Sequence, residues 1–266
     1  MTPYDRAHAA MEAEPENEAK RLAVYDRLAD AELFLLLEKE PEDENIRPQV
    51  FSTEEGDFVL VFDTEERLGE FSDEPHPYAA LPGRVIAQHL VGENIGLGIN
   101  LGVAESAMLL PPEALDWLTE TLSHSPSEAQ GRPVAFTAPG LSPAMLGLLL
   151  PAFEAKLDQL AGIAQAAVLG GVTYEDGHRG HVLAVIGAHE HFMPGIAKAM
   201  GEALTFSGLD AGELDVTFLA AEDPAAQLLL EKGLVLHVPE PVEEEVQEIV
   251  PGAAPGMDPT KPPKLR

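Results

Sequence analysis

The apolar positions change period several times along the first half of the chain, and each change predicts an element. From Glu14 to Asp30, Leu22, Tyr25, Leu28 and Ala29 recur at helical spacing and predict one amphipathic helix. The run Glu32–Lys39 is short and almost wholly apolar, which suits a buried strand, although its leucines leave a helix open. Gln49–Phe51 and Phe58–Phe62 predict two strands, and Thr53-Glu54-Glu55-Gly56 predicts the turn between them, since Gly56 can adopt positive φ. Asp63 or Thr64 is placed to cap a short helix, Glu65–Phe71, whose acidic first turn suits the helix dipole. Pro75–Pro82, with its prolines and aromatics, reads as a loop. Arg84–Val91 has helical spacing, Gly96–Leu101 and Ala107–Leu110 read as strands, and Pro111 and Pro112 open a helix over Glu113–Leu122.

Ser123–Pro133 is polar and has no period, which makes it the natural boundary between two domains. Beyond it, Ser142 caps a helix reaching about Leu160, with Pro143 at the start and an expected break at Pro151. Ala164–Tyr174 and His181–Ala188 predict a hairpin turning at Asp176-Gly177. A helix over Pro194–Phe206, a strand over Leu214–Ala220, a helix over Pro224–Lys232 between Asp223 and Gly233, and a strand over Leu234–Val238 follow. The fold class is therefore α/β, with α+β as its variant. Two small mixed-sheet domains with flanking helices are expected at residues 1–122 and 134–238, joined by a linker at 123–133. Residues 239–266 are rich in Pro and Glu and have the composition of a disordered tail, with a docking segment as the other reading.

Composition narrows the function. Hydrophobic residues make up 45% of the 266, enough for true cores, but aromatics are only 6%, so those cores must rest on Leu, Val, Ile and Ala. The net charge is −30, and the acidic excess is spread over both halves rather than confined to the tail. Such a surface repels phosphate backbones and anionic lipid, so neither nucleic acid nor a membrane is an expected partner; a neutral or basic protein is. The chain has no cysteine, which removes disulfides, thiolate nucleophiles and Cys-bound metal. Met1–Asn17 lacks the basic and apolar regions of a secretory signal, and the most apolar runs, Leu141–Phe153 and Leu160–Val172, fall short of the roughly 20 residues a spanning helix needs. A cytoplasmic protein is expected.

The candidate chemistry is thin. His178 and His181 lie before one predicted strand, and His189 and His191 after it. At about 3.3 Å per residue, one ion could not be held by both pairs. The order His189-Glu190-His191 is not the helical zinc motif either. No metal site is expected there; the alternative reading of the chain is a small-molecule- or metal-binding protein, or an enzyme, using the His and carboxylate groups around 178–191. In Gly96-Leu97-Gly98-Ile99-Asn100-Leu101-Gly102 the glycines sit inside the apolar run and no helix follows, so this is not a dinucleotide loop and no cofactor is implied. Trp117 reads as core or interface, and Met145, Met193 and Met200 as core filler.

The order of segments in the first half resembles the SseB family. The residues that carry the resemblance are Glu32-Leu33-Phe34-Leu35-Leu36-Leu37, Val50-Phe51-Ser52-Thr53-Glu54-Glu55-Gly56, Val59-Leu60-Val61-Phe62-Asp63 with Arg67-Leu68, Leu81-Pro82-Gly83-Arg84 and Asn100-Leu101-Gly102. They span roughly Glu18 to Leu122 and resemble the SseB N-terminal domain; the residues after Val134 resemble the SseB C-terminal domain more weakly. The resemblance implies an α/β domain without established enzymatic chemistry, in a family named for serine sensitivity on overproduction. It offers no catalytic residues. A secretion translocon protein shares the name, but this chain has neither its membrane segment nor its heptads. A non-catalytic protein-interaction or regulatory role is therefore expected, with Tyr78, Arg84 and Asn100 as candidate binding residues on one surface of the first domain. A homo-oligomer formed through an exposed sheet edge stays open.

Overall fold

The computed structural model describes residues 1–40, 46–54, 56–72, 74–127, 131–209 and 214–240. The chain opens on a capping box: the Asp5 amide donates to Thr2 Oγ1 at 3.1 Å, and the Thr2 amide donates back to the Asp5 carboxylate at 2.8 Å. These bonds begin α1, Pro3–Ala13. Asn17 then caps α2, Glu18–Asp30. The helix expected from Glu14 thus begins at Glu18, and the N-terminal segment holds a further helix that periodicity did not predict. That helix buries only Tyr4, Asp5 and His8, too few apolar residues to make a stripe.

The first sheet contains β1 (Glu32–Leu36), β2 (Val50–Thr53), β3 (Gly56–Phe62), β4 (Tyr78–Pro82), β5 (Ile95–Ile99) and β6 (Met108–Leu110). Its order is β4-β1-β3-β5-β6, with β2 also paired to β3 in a hairpin closed at Thr53 and Gly56. β3 and β5 run parallel and the other pairs antiparallel, so the sheet is mixed. The loop expected over Pro75–Pro82 is corrected: from Tyr78 onward it is an edge strand, paired with β1 over five positions. Its proline stands at the strand's end, where a missing N–H is tolerated, and it was the proline that made the segment read as loop.

Strand alternation divides this sheet into two faces. Leu33, Leu35, Val59, Val61, Leu97 and Ile99 pack on one side with α1, α2, α4 (Gly83–Leu90) and α5 (Pro112–Ser123). Leu36, Leu60 and Phe62 face the other way, toward Leu68 of α3 (Glu65–Phe71). Glycine is required at two close approaches. A Cβ at Gly83 would lie 1.9 Å from the Leu28 carbonyl oxygen, and one at Gly96 would lie 2.5 Å from the Phe58 ring.

The second sheet has the order β10-β9-β8-β11, with β7 also on β8. Its strands are β7 (Pro133–Thr137), β8 (Ala166–Tyr174), β9 (Arg179–Ile186), β10 (Leu214–Leu219) and β11 (Leu234–Leu236). The expected hairpin forms between β8 and β9, and β10 adds parallel to β9. β7 was not anticipated, because four of its five residues are exposed and give no alternating signal. One face of the sheet packs on α6 (Pro143–Leu157) and α7 (Met193–Phe206); the other packs on Ala226 and Leu229 of α8 (Pro224–Lys232). The break expected at Pro151 does not occur: α6 runs through it, because Pro151 faces solvent while Leu149 and Phe153 on either side hold the helix to the sheet. Met145 is likewise exposed and not core, whereas Met200 is fully buried.

Mixed sheets with flanking helices are thus the observed architecture. Among the described residues, no helix is long and apolar enough to cross a membrane. The expected disorder of 241–266 lies outside the described residues.

Candidate functional site

The helices of the two sheets meet through charges. Lys156 stands on α6 at the helical interval that also carries Leu149, Phe153 and Leu160, so its stem belongs to the buried stripe and its ammonium is buried with it. The ammonium lies 2.7 Å from Asp26 and 2.5 Å from Asp30, both on α2, and 3.7 Å from Glu202 on α7. Arg84, on α4, donates both terminal nitrogens to the Glu202 carboxylate at 3.1 and 3.0 Å, and one of them also to Asp30 at 2.5 Å. Arg27 borders the cluster, 3.6 Å from Asp26.

Four helices thus contribute to one compact set of charges, two from each half of the chain. Burial raises the Asp26 carboxyl above the usual carboxylate range even beside Lys156. Burial would raise Asp30 too, but Lys156 and Arg84 together outweigh it and bring that carboxyl below its ordinary value. Burial opposes the Arg84 charge, yet Glu202 and Asp30 hold the guanidinium more firmly protonated than usual. An aromatic chain runs across the same junction. Trp117 of α5 meets Tyr25 of α2 edge-on at 5.2 Å and Phe206 of α7 at 6.2 Å, and Phe206 is buried among the core residues of the first sheet. Trp117, expected as core or interface, is not core: it stays 40% exposed while contacting both halves at this junction.

A second polar network sits at the carboxyl ends of the parallel strands β3 and β5, where open α/β sheets commonly bind ligands. Asn100, fully buried and at φ +51°, accepts the Asp63 amide at 3.1 Å and donates to Ser106 Oγ at 3.2 Å. Asparagine tolerates this left-handed backbone better than most residues. Ser106 in turn donates to Asp5 at 2.6 Å. Arg67 of α3 binds both Asp5 oxygens, at 2.9 and 2.8 Å, and Asp63 at 2.6 Å; Thr2 Oγ1 donates to the other Asp63 oxygen at 2.5 Å. The Arg67 hydrogen bonds hold the Asp5 carboxyl well below the usual range. The α1 helix therefore closes this end of the sheet with its own carboxylate, and the network's groups are bonded to one another.

The three expected binding residues are not gathered on one surface. Arg84 points into the inter-sheet cluster, with its side chain one-third exposed. Asn100 is inside the strand-end network. Tyr78 is exposed on β4 and donates its hydroxyl to Glu65 at 2.7 Å, which raises its ionisation above the ordinary tyrosine value. The histidines divide about β9, with His181 inside the strand where it was expected before it. His178 stacks on Tyr174 near the start of β9, His181 lies within that strand, and His189 and His191 are exposed beyond its end. Among the described residues, no group of three or more His, Asp and Glu side chains is placed to hold a metal ion.

Of the inter-sheet cluster, Arg84 was singled out but Asp26 and Lys156 were missed, although a signal was present. Asp26 continues the helical interval of Leu22 and Ala29, and Lys156 that of Leu149 and Phe153. A charged residue at a stripe position calls for a buried partner. A family model for the SseB protein N-terminal domain matches residues 5–117, from the carboxylate of α1 to the tryptophan of the aromatic junction. Over these residues, fewer than half of the 266, the chain is similar to the SseB N-terminal domain family. The match thus begins further upstream than the resemblance from Glu18 indicated, and it takes in most of α1, the first sheet and the strand-end network apart from Thr2. No curated protein and no solved structure matches the chain.

Proposed function

We propose that the chain is a non-catalytic interaction or regulatory protein, cytoplasmic and SseB-like in both halves, that binds a neutral or basic protein through its first domain. The observation that carries this reading is the state of the strong polar groups. Arg67, Arg84, Lys156, Asn100 and their carboxylates are engaged with one another and hold helices together. What remains outward is an acidic surface, net −30 over the whole chain, which attracts cationic partners at long range. Tyr78, aromatic and exposed on the edge strand β4, is the side chain best placed to anchor such a contact, while Arg84 and Asn100 hold the fold elsewhere.

The test is capture on the full-length chain at native abundance and low ionic strength. A specific partner should be recovered, and it should dissociate progressively as salt rises. Tyr78→Ala should weaken that partner's binding by about tenfold, the scale of a moderate interface anchor. Recovery of no partner, or of one indifferent to both salt and Tyr78, would sink the reading.

A further inference from the structure

The first half of α6 is apolar on every side, with no charged residue from Pro143 to Phe153. Only part of it is covered. Leu149 and Phe153 are buried against the second sheet, whereas Ala144, Met145, Gly147, Leu148 and Pro151 face solvent, Met145 and Leu148 with more than a third of their surface. Ala144, Leu148 and Pro151 recur at i, i+4 and i+7, so they form one continuous strip along the helix. The space above Gly147 is open, with no atom within 4 Å of where a Cβ would stand. A helix this apolar is normally enclosed.

The chain supplies a matching segment close by. Val238, near the end of the described residues, is buried in the same apolar cluster as Leu149, Phe153 and Leu157. Beyond Glu240 the sequence continues for a further 26 residues. Within them Val242, Val246, Ile249 and Val250 recur at i, i+4, i+7 and i+8, while Glu243, Glu244, Glu245, Gln247 and Glu248 fill the positions between. That is the pattern of a helix with one apolar stripe and one acidic face. Pro241 stands where a helix accepts proline at its start, and Pro251-Gly252 where one stops. Nine such residues are too few to hold a helix alone in water, so the segment needs a surface to form on.

We propose that residues 242–250 dock as an amphipathic helix on the exposed strip of α6, setting Val242, Val246, Ile249 and Val250 against Met145, Leu148 and Pro151 with the glutamates turned to water. Val242 stands four positions beyond Val238, a reach of at most about 14 Å, which keeps the segment near α6. The tether also gives the segment an effective concentration of order millimolar. A second copy of the chain lacks that advantage and brings another −30 charges. This inference is independent of the partner-binding reading above.

The absence of cysteine makes the test clean, because any introduced pair is the only one present. Full-length chain carrying Leu148→Cys and Val246→Cys is oxidised at low protein concentration, beside chain carrying Leu148→Cys and Glu244→Cys. The first pair should close within one chain on the order of tenfold faster than the second, since tethering alone favours both equally. Equal rates, or crosslinks only between copies, would overturn the proposal. Ending the chain after Glu240 should also speed amide exchange across 145–152 relative to full length, and unchanged exchange there would count equally against docking.

Discussion

Lys156 shows how much can rest on one side chain. Its ammonium is the shared counter-charge of Asp26 and Asp30; Lys156 and Asp26 are buried and Asp30 is largely so. Lys156→Ala should destabilise the protein by about 3–5 kcal/mol, because it leaves the buried Asp26 with only the more distant Arg27 and Asp30 with only Arg84. Urea unfolding monitored by tryptophan fluorescence would measure it, since Trp117 sits at the same junction. Removing Asp26 as well should recover part of that loss, and a double-mutant cycle reads the coupling. Asn100→Ala should cost about 2–3 kcal/mol, through the unsatisfied Asp63 amide and a positive φ that alanine resists. The sequence announced the apolar stripes, and singled out Asn100, but not Asp26 or Lys156. Periodicity identifies which face of a helix is buried. It does not say which helix from the other half will lie against that face, and a charge at a stripe position has meaning only once its partner is placed.

At the scale of elements, α1 is attached to the first sheet both by the buried Tyr4 and by the Asp5–Arg67 ion pair. The Asp5 carboxyl is depressed by Arg67, so the stability it contributes is present above the unfolded aspartate pKa of about 3.9 and is lost as pH falls through its lower folded value. Asp30 acts in the same direction. Asp26 acts in the opposite one: its raised folded value means its contribution is lost as pH rises above about 3.9. Asp5→Asn should therefore lower stability at neutral pH and flatten the loss of stability on acidification, measured as unfolding midpoints across the acid range. Gly96→Ala should destabilise by about 1–3 kcal/mol, since its Cβ would meet both the Phe58 ring and the Leu110 carbonyl. The elements with a strong period, such as α2, α5, the β8–β9 hairpin and α8, were legible in the chain. β4, β7 and α1 were not, because an edge strand or a helix fastened by polar groups leaves little apolar rhythm to read.

For the molecule as a whole, the two sheets were foreseeable and their union was not. The polar stretch Ser123–Pro133 reads as a linker between units, yet Phe206 from the second half lies in the core of the first, and Arg84 from the first half grips Glu202 on α7. Acidic charge on both halves adds a repulsion that salt should relieve, so the unfolding midpoint should rise between low and physiological ionic strength. A fall would mean that the attractive pairs at the junction outweigh the long-range repulsion.

The reach of Phe206 into the first core also bears on how this protein can be dissected. The family match stops at residue 117, but the physical unit does not. A fragment ending ahead of Pro133 would strand Asp26 and Asp30 without their lysine and leave an oily notch beside Tyr25 and Trp117 where the phenyl ring belongs. Such a fragment invites aggregation, and whatever it captured through that notch would be a substitute for its own missing half.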